Sequence, residues 1–340
     1  MKVCVHCFND IELKQYIISN STEKGECDYC KNETNSELLD TVELLDFFSE
    51  FISIFKLDPS GLPLVSIIQN DWNLFSYETD FQSILADILS SIKYQFLDPL
   101  AQVSYIDDII ECTSYWEKLK EEIKWERRFL LKYENLTEEL GWDRFFKKSV
   151  TLINSDPLFR TRLHYSGDQN EFDKSEMGCP DKSKSTAGRA NPQGIPYLYL
   201  SKEIETTLYE VRATYLDEVS VGTFLIKSDS EIDLVDFTEV ASAFLNIDEI
   251  VECAKRIILK RYISADLSKP IRRYDSELEY IPTQFICEFI RFVSGADGIL
   301  FNSSLYNQGK NIVLFEQDKV ECVSVSLYRV TSVVIDSIRL

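Results

Sequence analysis

A chain of 340 residues exceeds what one ordinary core organises and suits two or three domains. Its 44% hydrophobic and 12% aromatic content is that of a folded protein and excludes a disordered one. The formal net charge of −21 repels phosphates, which argues against unspecific binding to nucleic acid or to an anionic membrane; at its plainest it serves solubility. An anionic chain that takes an anionic ligand must gather its arginines locally, so their positions carry information. No apolar run approaches the ~20 residues of a membrane span, and Met1–Cys7 lacks the apolar core of a secretion signal. A cytoplasmic protein is expected.

The first region, residues 1–33, holds Cys4-x-x-Cys7 and Cys27-x-x-Cys30 across a gap of 19 residues. Two CxxC turns at this spacing can complete a tetrahedral thiolate shell, so a structural zinc ion on Cys4, Cys7, Cys27 and Cys30 is expected, in a small ribbon. Such a closed site holds a fold together and does no chemistry. The nine cysteines are odd in number, which fits metal better than disulfides in a cytoplasmic chain. His6 lies between two ligands and reads as a bystander. Residues 1–33 contain no arginine and few lysines, so the basic stripe of a nucleic-acid-binding ribbon is missing.

Residues 34–150 read as a helical bundle. Leu38, Leu39, Val42, Leu45, Phe48 and Ile52 fall near helical spacing after Asn35-Ser36, and Asp58-Pro59-Ser60-Gly61 breaks the pattern. Further helices are expected at about 80–95, 107–133 and 136–149. Trp116, Trp125 and Phe129 read as bundle core. Nothing in this region forms a catalytic set.

From Thr151 the chain becomes richer in β-branched residues and turns. Short apolar runs at 197–200, 222–226, 232–235, 298–301 and 312–315 predict strands, and helical patterns at 203–213, 247–261 and 282–293 interleave with them. The expectation is an α+β domain over 151–340. The polar stretch Asp168–Thr186 reads as a loop that can act as a lid.

One segment of this domain has chemical logic. In Gly188-Arg189-Ala190-Asn191-Pro192-Gln193-Gly194, successive turns let backbone approach a ligand, and Arg189 sits where a guanidinium can grip a pyrophosphate. An aromatic strand with Tyr199 follows, then a helix with Glu205, Glu210 and Arg212. Breaking an N-glycosidic bond to nicotinamide needs a grip on the diphosphate, an aromatic face and a carboxylate near the ribose. It needs no histidine, and this chain has only two.

These residues resemble the RES domain family, named for its arginine, glutamate and serine. The family's arginine turn falls on Arg189, its strand tyrosine on Tyr199, its glutamate on Glu210, and its serine on Asn302-Ser303-Ser304, at Ser303, with adjacent Ser304 as the alternative. Phe159-Arg160-Thr161-Arg162 resembles the opening arginine strand, with Arg160 favoured over Arg162 to point inward. Tyr280-Ile281-Pro282-Thr283-Gln284 and Gly309–Phe315 resemble further blocks, all in order over about 155–318. Ala190 departs from the pattern, since compact members carry tryptophan there.

The resemblance implies an ADP-ribosyltransferase-like fold and an enzyme that cleaves NAD⁺ at the nicotinamide–ribose bond, by hydrolysis or phosphorolysis. Arg189, Tyr199, Glu210 and Ser303 would carry catalysis; Arg160, Arg162, Arg189, Asn191, Tyr199 and Ser303 would hold NAD⁺. From the residues themselves, Gln284 reads as orienting a loop or the ligand, and His164 and Tyr165 as lining the mouth or lying on the plain surface. The alternatives are ADP-ribosylation of a protein target and a module that senses NAD⁺ without turnover. Family toxins are paired with Xre-type antitoxins, so a protein antitoxin or inhibitor and a homo-oligomer are expected partners, with no nucleic acid and no membrane. The helical region resembles HEPN-like domains but lacks their Arg-x₄₋₆-His pair, so ribonuclease activity is not expected.

Overall fold

The computed structural model describes residues 1–340 except 31–34, 94–97, 133, 155, 166–169, 240–241, 270–276, 307 and 335–340. The chain forms two compact units: Met1–Tyr115 with Val240–Leu259, and Trp116–Glu239 with Lys260–Leu340.

In the first unit, strands β1 (Lys2–Cys4), β2 (Glu23–Gly25) and β3 (Ser36–Asp40) form an antiparallel sheet in the order β1-β3-β2. A ten-residue helix, α1 (Ile11–Asn20), lies between the CxxC pairs; Asp10 caps it by accepting from the amides of Glu12 and Leu13. The helix expected from Leu38 starts later. Leu38 and Leu39 pair with β1, and Asp40 then caps a 3-10 turn that leads into α2 (Leu45–Ser53). Helix α2 buries Phe47, Phe48, Phe51 and Ile52, each of about 1.5–3 kcal/mol in transfer energy. Strands β4 (Phe55–Pro63) and β5 (Gln102–Tyr105), far apart in sequence, pair antiparallel where the sequence predicts only helices and a break. Helices α3 (Leu64–Ile67) and α4 (Phe81–Ile92) complete the unit, and its core also takes in Ile250, Cys253, Ala254 and Ile258.

Helix α5 (Asp107–Trp125) is shorter than its pattern, because Arg128 turns back and donates to the carbonyls of Ile123 and Lys124. No regular helix forms over 136–149. Gly141, with φ +65°, interrupts it between two single turns, Asn135–Glu139 and Trp142–Arg144.

The second unit is built on eight strands: β6 (Val150–Leu152), β7 (Leu158–Leu163), β8 (Leu198–Ser201), β9 (Glu218–Ile226), β10 (Ile232–Asp236), β11 (Gly298–Asn302), β12 (Lys310–Leu314) and β13 (Val320–Arg329). Their order is β13-β9-β7-β8-β12-β11-β10-β6, and every pair is antiparallel except β10–β11. Leu158, Leu198, Leu200, Leu234, Leu300, Ile312 and Leu314 share one core. Alternation along β8 therefore sends Tyr199 to the opposite face from Leu198 and Leu200. Helices α6 (Ile204–Glu210), α7 (Ile250–Ser268) and α8 (Ile281–Ser294) match the expected helical patterns, α8 ending at Gly295 with φ +60°. Strand β13 had no counterpart in the sequence reading. Among the described residues no helix is long and apolar enough to cross a membrane.

One pairing in the large sheet positions the site. Strands β7 and β8 meet at a single register pair, Phe159 with Ser201. Beyond it the two strands part, and the sheet opens.

Candidate active site

The opening between β7 and β8 is a cavity of about 280 Å³. Arg160 and Thr161 of β7 line it opposite Tyr199, Leu200 and Ser201 of β8, with Arg189, Glu210, Ser304 and Asn311 around them.

The turn before β8 is held from several sides. Tyr199 donates its hydroxyl to Asn191 Oδ1 at 2.7 Å and accepts the Ala190 amide at 3.1 Å. Asn191 is 3% exposed and its amide nitrogen donates to the carbonyls of Thr186, Pro192 and Ile195. Gln284 Nε2 donates to the carbonyls of Gly188 and Asn191, and Thr283 Oγ1 to that of Arg189. Gly188 is required here, since a Cβ would lie 2.5 Å from Asn191 Oδ1 and 2.6 Å from the Tyr199 hydroxyl. Burial pushes the Tyr199 phenol up, so it stays protonated. Its hydroxyl is held by the turn, and Tyr199 also lines the cavity.

Arg189 extends from this turn and donates through Nη1 to the carbonyls of Leu267, at 2.9 Å, and Lys269, at the end of α7. A cation there complements the helix dipole. Arg160 donates to the Gly178 carbonyl at 3.1 Å. Burial lowers the pKa of both guanidinium groups, and at Arg189 the charge of Glu210 opposes that effect.

Glu210 is the last residue of α6, where the helix dipole disfavours a carboxylate. Two donors compensate. Ser303 Oγ and Asn311 Nδ2 each lie 2.7 Å from Oε1. Among the described residues no hydrogen bond goes to Oε2. After Glu210 the chain turns through Arg212 in the left-handed region, with φ 53°.

The expected residues thus sort into three groups. Arg160, Arg189, Tyr199 and Glu210 share one cavity. Ser303 is 7% exposed and reaches the cavity through Glu210, while Ser304 lines it directly. Arg162 and Asn191 lie outside the cavity wall. The Arg162 guanidinium sits 4.5 Å from the Phe172 ring and donates to the Glu176 carbonyl, and Asn191 is spent on the turn. His164 is buried against Phe172 and 2.8 Å from Ser220 Oγ, whereas Tyr165 is exposed. Asp168 and Gln169, at the start of the expected lid, lie outside the described residues. Asn311 was not singled out in the sequence; its only signal is its place in the Gly309–Phe315 block.

A family model of the RES domain matches residues 158–333, just over half of the chain. The chain belongs to the RES domain family. The RES match takes in every cavity-lining residue, from Arg160 to Asn311. Among solved structures, a chain from "Crystal structure of the M. tuberculosis MbcT-MbcA toxin-antitoxin complex" is similar at 12% identity, over 56% of this chain and 89% of that one, with a TM-score of 0.32. No curated protein matches the sequence.

In the first unit, the four thiols of the CxxC pairs are buried and free of disulfides. Their sulfurs all lie within 4.8 Å of one another, with Cys4–Cys7 at 3.9 Å and Cys4–Cys30 and Cys7–Cys27 at 3.4 Å. A tetrahedral site with metal–sulfur bonds of about 2.3 Å has sulfur–sulfur edges of about 3.8 Å. The four residues fit a metal ion.

Proposed function

We propose that the RES domain of this chain binds NAD⁺ in the cavity between β7 and β8 and breaks the nicotinamide–ribose bond. The observation that carries this reading is Glu210: a carboxylate with one oxygen held by two donors and the other, among the described residues, accepting no hydrogen bond, beside two partly buried arginines. Arg160 and Arg189 would take the diphosphate, and the Tyr199 ring would pack against the nicotinamide riboside. As the C1′–N bond breaks, its electron pair leaves with nicotinamide and positive charge grows on the ribose. Glu210 Oε2 would face that charge. Water attack at C1′ gives ADP-ribose and a proton; phosphate in place of water gives the ribosyl phosphate.

Incubation of the full-length protein with NAD⁺, following nicotinamide and the ribosyl product by chromatography, tests the reading. Turnover is expected, and Glu210→Gln should lower kcat by at least roughly a hundredfold while leaving the melting temperature near that of the parent. The size of the second product separates water from phosphate, and label retained on protein would favour ADP-ribosyl transfer. NAD⁺ left intact with every acceptor would overturn the enzyme reading.

The proposal includes a toxin role in the cytoplasm, restrained by a protein antitoxin or inhibitor, and the RES family membership supports the toxin part. Arrest of bacterial growth on expression, with a fall in cellular NAD⁺, is the expected result. In the first unit, Cys4, Cys7, Cys27 and Cys30 would hold a zinc ion as thiolates, with a purely structural purpose.

A further inference from the structure

We infer that Asn311 is a positioning residue for Glu210, selecting which carboxylate oxygen meets the substrate. This rests on the reading above, in which Glu210 faces the charge that develops on the ribose.

Asn311 lies in β12 between Lys310 and the apolar run Ile312-Val313-Leu314, near the centre of the sheet, and is 8% exposed. A buried amide costs free energy unless bonded. Its partner is Glu210 Oε1, at 2.7 Å. A carboxylate only accepts, so the amide must present its N–H₂ to it. An amide cannot pass on a proton, so Asn311 fixes the carboxylate without drawing it into proton transfer. The carboxylate sits at the end of a seven-residue helix on a flexible stem, exposed to the cavity. Ser303, from the loop after β11, reaches the same oxygen from a second element. Two donors hold Oε1, and among the described residues Oε2 accepts no hydrogen bond, so it is the oxygen left for a substrate. Electrostatic stabilisation depends on such placement before the reaction begins.

Shape-matched variants separate this role from packing. Asn311→Leu keeps the branched side-chain skeleton and removes the donor; Asn311→Asp keeps the shape and sets a second carboxylate against Glu210. Each is expected to lower kcat for NAD⁺ roughly ten- to a hundredfold, Asp more than Leu, with KM changed less than about threefold. A crystal structure of Asn311→Leu should show the Glu210 carboxylate turned from its place while the α6 backbone is unmoved. If Asn311→Leu turns over NAD⁺ as the parent does, or the carboxylate stays put, the inference is overturned. If the parent itself leaves NAD⁺ intact, the functional reading fails instead. The Glu210 position in the Asn311→Leu crystal then decides the positioning role by itself, whatever the substrate.

Discussion

Tyr199 and Asn191 show how a side chain's chemistry is decided by its neighbours. Both were expected on the ligand, and both direct their polar atoms into the Gly188–Gly194 turn. The turn leaves no room at Gly188. Gly188→Ala would drive a Cβ into two polar atoms that are already bonded, and the turn that carries Arg189 must shift. A loss of about 1–3 kcal/mol in stability is expected, with a higher KM for NAD⁺, read from denaturant melts and kinetics on the same preparation. The glycine, the arginine, the tyrosine and the glutamate were all legible, because their spacing is a property of the chain. The direction of the Asn191 amide was not, since it depends on where Thr186 and Ile195 place their carbonyls. Asn311 was hidden for a related reason: one amide beside a lysine at the head of a strand has no pattern until the carboxylate opposite it is known.

At the scale of elements, the site is a gap in a sheet and the helix ends around it. Strands β7 and β8 are adjacent yet share one register pair, and that failure to zip creates the cavity. The apolar runs fixed where most strands of this sheet lie, but pairing partners are a long-range property, so the gap itself was not readable. The helical pattern over 136–149 misled because Gly141 adopts a left-handed conformation that no periodicity reveals. The end of α7 has its own support. Asp266 Oδ2 accepts from Trp116 Nε1 at 2.7 Å and from Lys120 Nζ at 2.8 Å, next to the Leu267 carbonyl that holds Arg189. An aspartate near a helix C-terminus opposes the dipole, so these two donors are what keep it there. Asp266→Ala would leave both donors without that acceptor, at a cost of about 1–3 kcal/mol. It should also raise KM for NAD⁺ more than it lowers kcat, because Arg189 loses a fixed anchor. Steady-state kinetics beside a thermal melt would check both parts.

For the whole molecule, the sequence separated a cysteine-rich start, a helical stretch and an α+β end. Local composition could not show that residues 240–259 rejoin the first unit, because a chain's return is invisible to any short window. The metal proposal belongs at this scale. Stripping zinc with a strong chelator should release about one equivalent and lower the melting temperature, since buried thiols lose the ion that holds four of them together. If the ion is structural, nicotinamide release at a temperature well below the melt should persist. The net charge of −21 makes the clustering of Arg160 and Arg189 notable, because an anionic ligand meets attraction only where those cations stand.

The Asp266 tether carries a consequence for genetics. If expression arrests growth, colonies that survive are an unbiased record of the positions that the activity needs. Such a record should include Trp116 and Asp266 beside Arg189 and Glu210, although Trp116 precedes the RES match by more than forty positions. An escape allele at Trp116 would read as a loss in a separate helical domain when mapped on the linear sequence. On the folded chain it is a loss of the support beneath the arginine, and a compensating change should arise along α7.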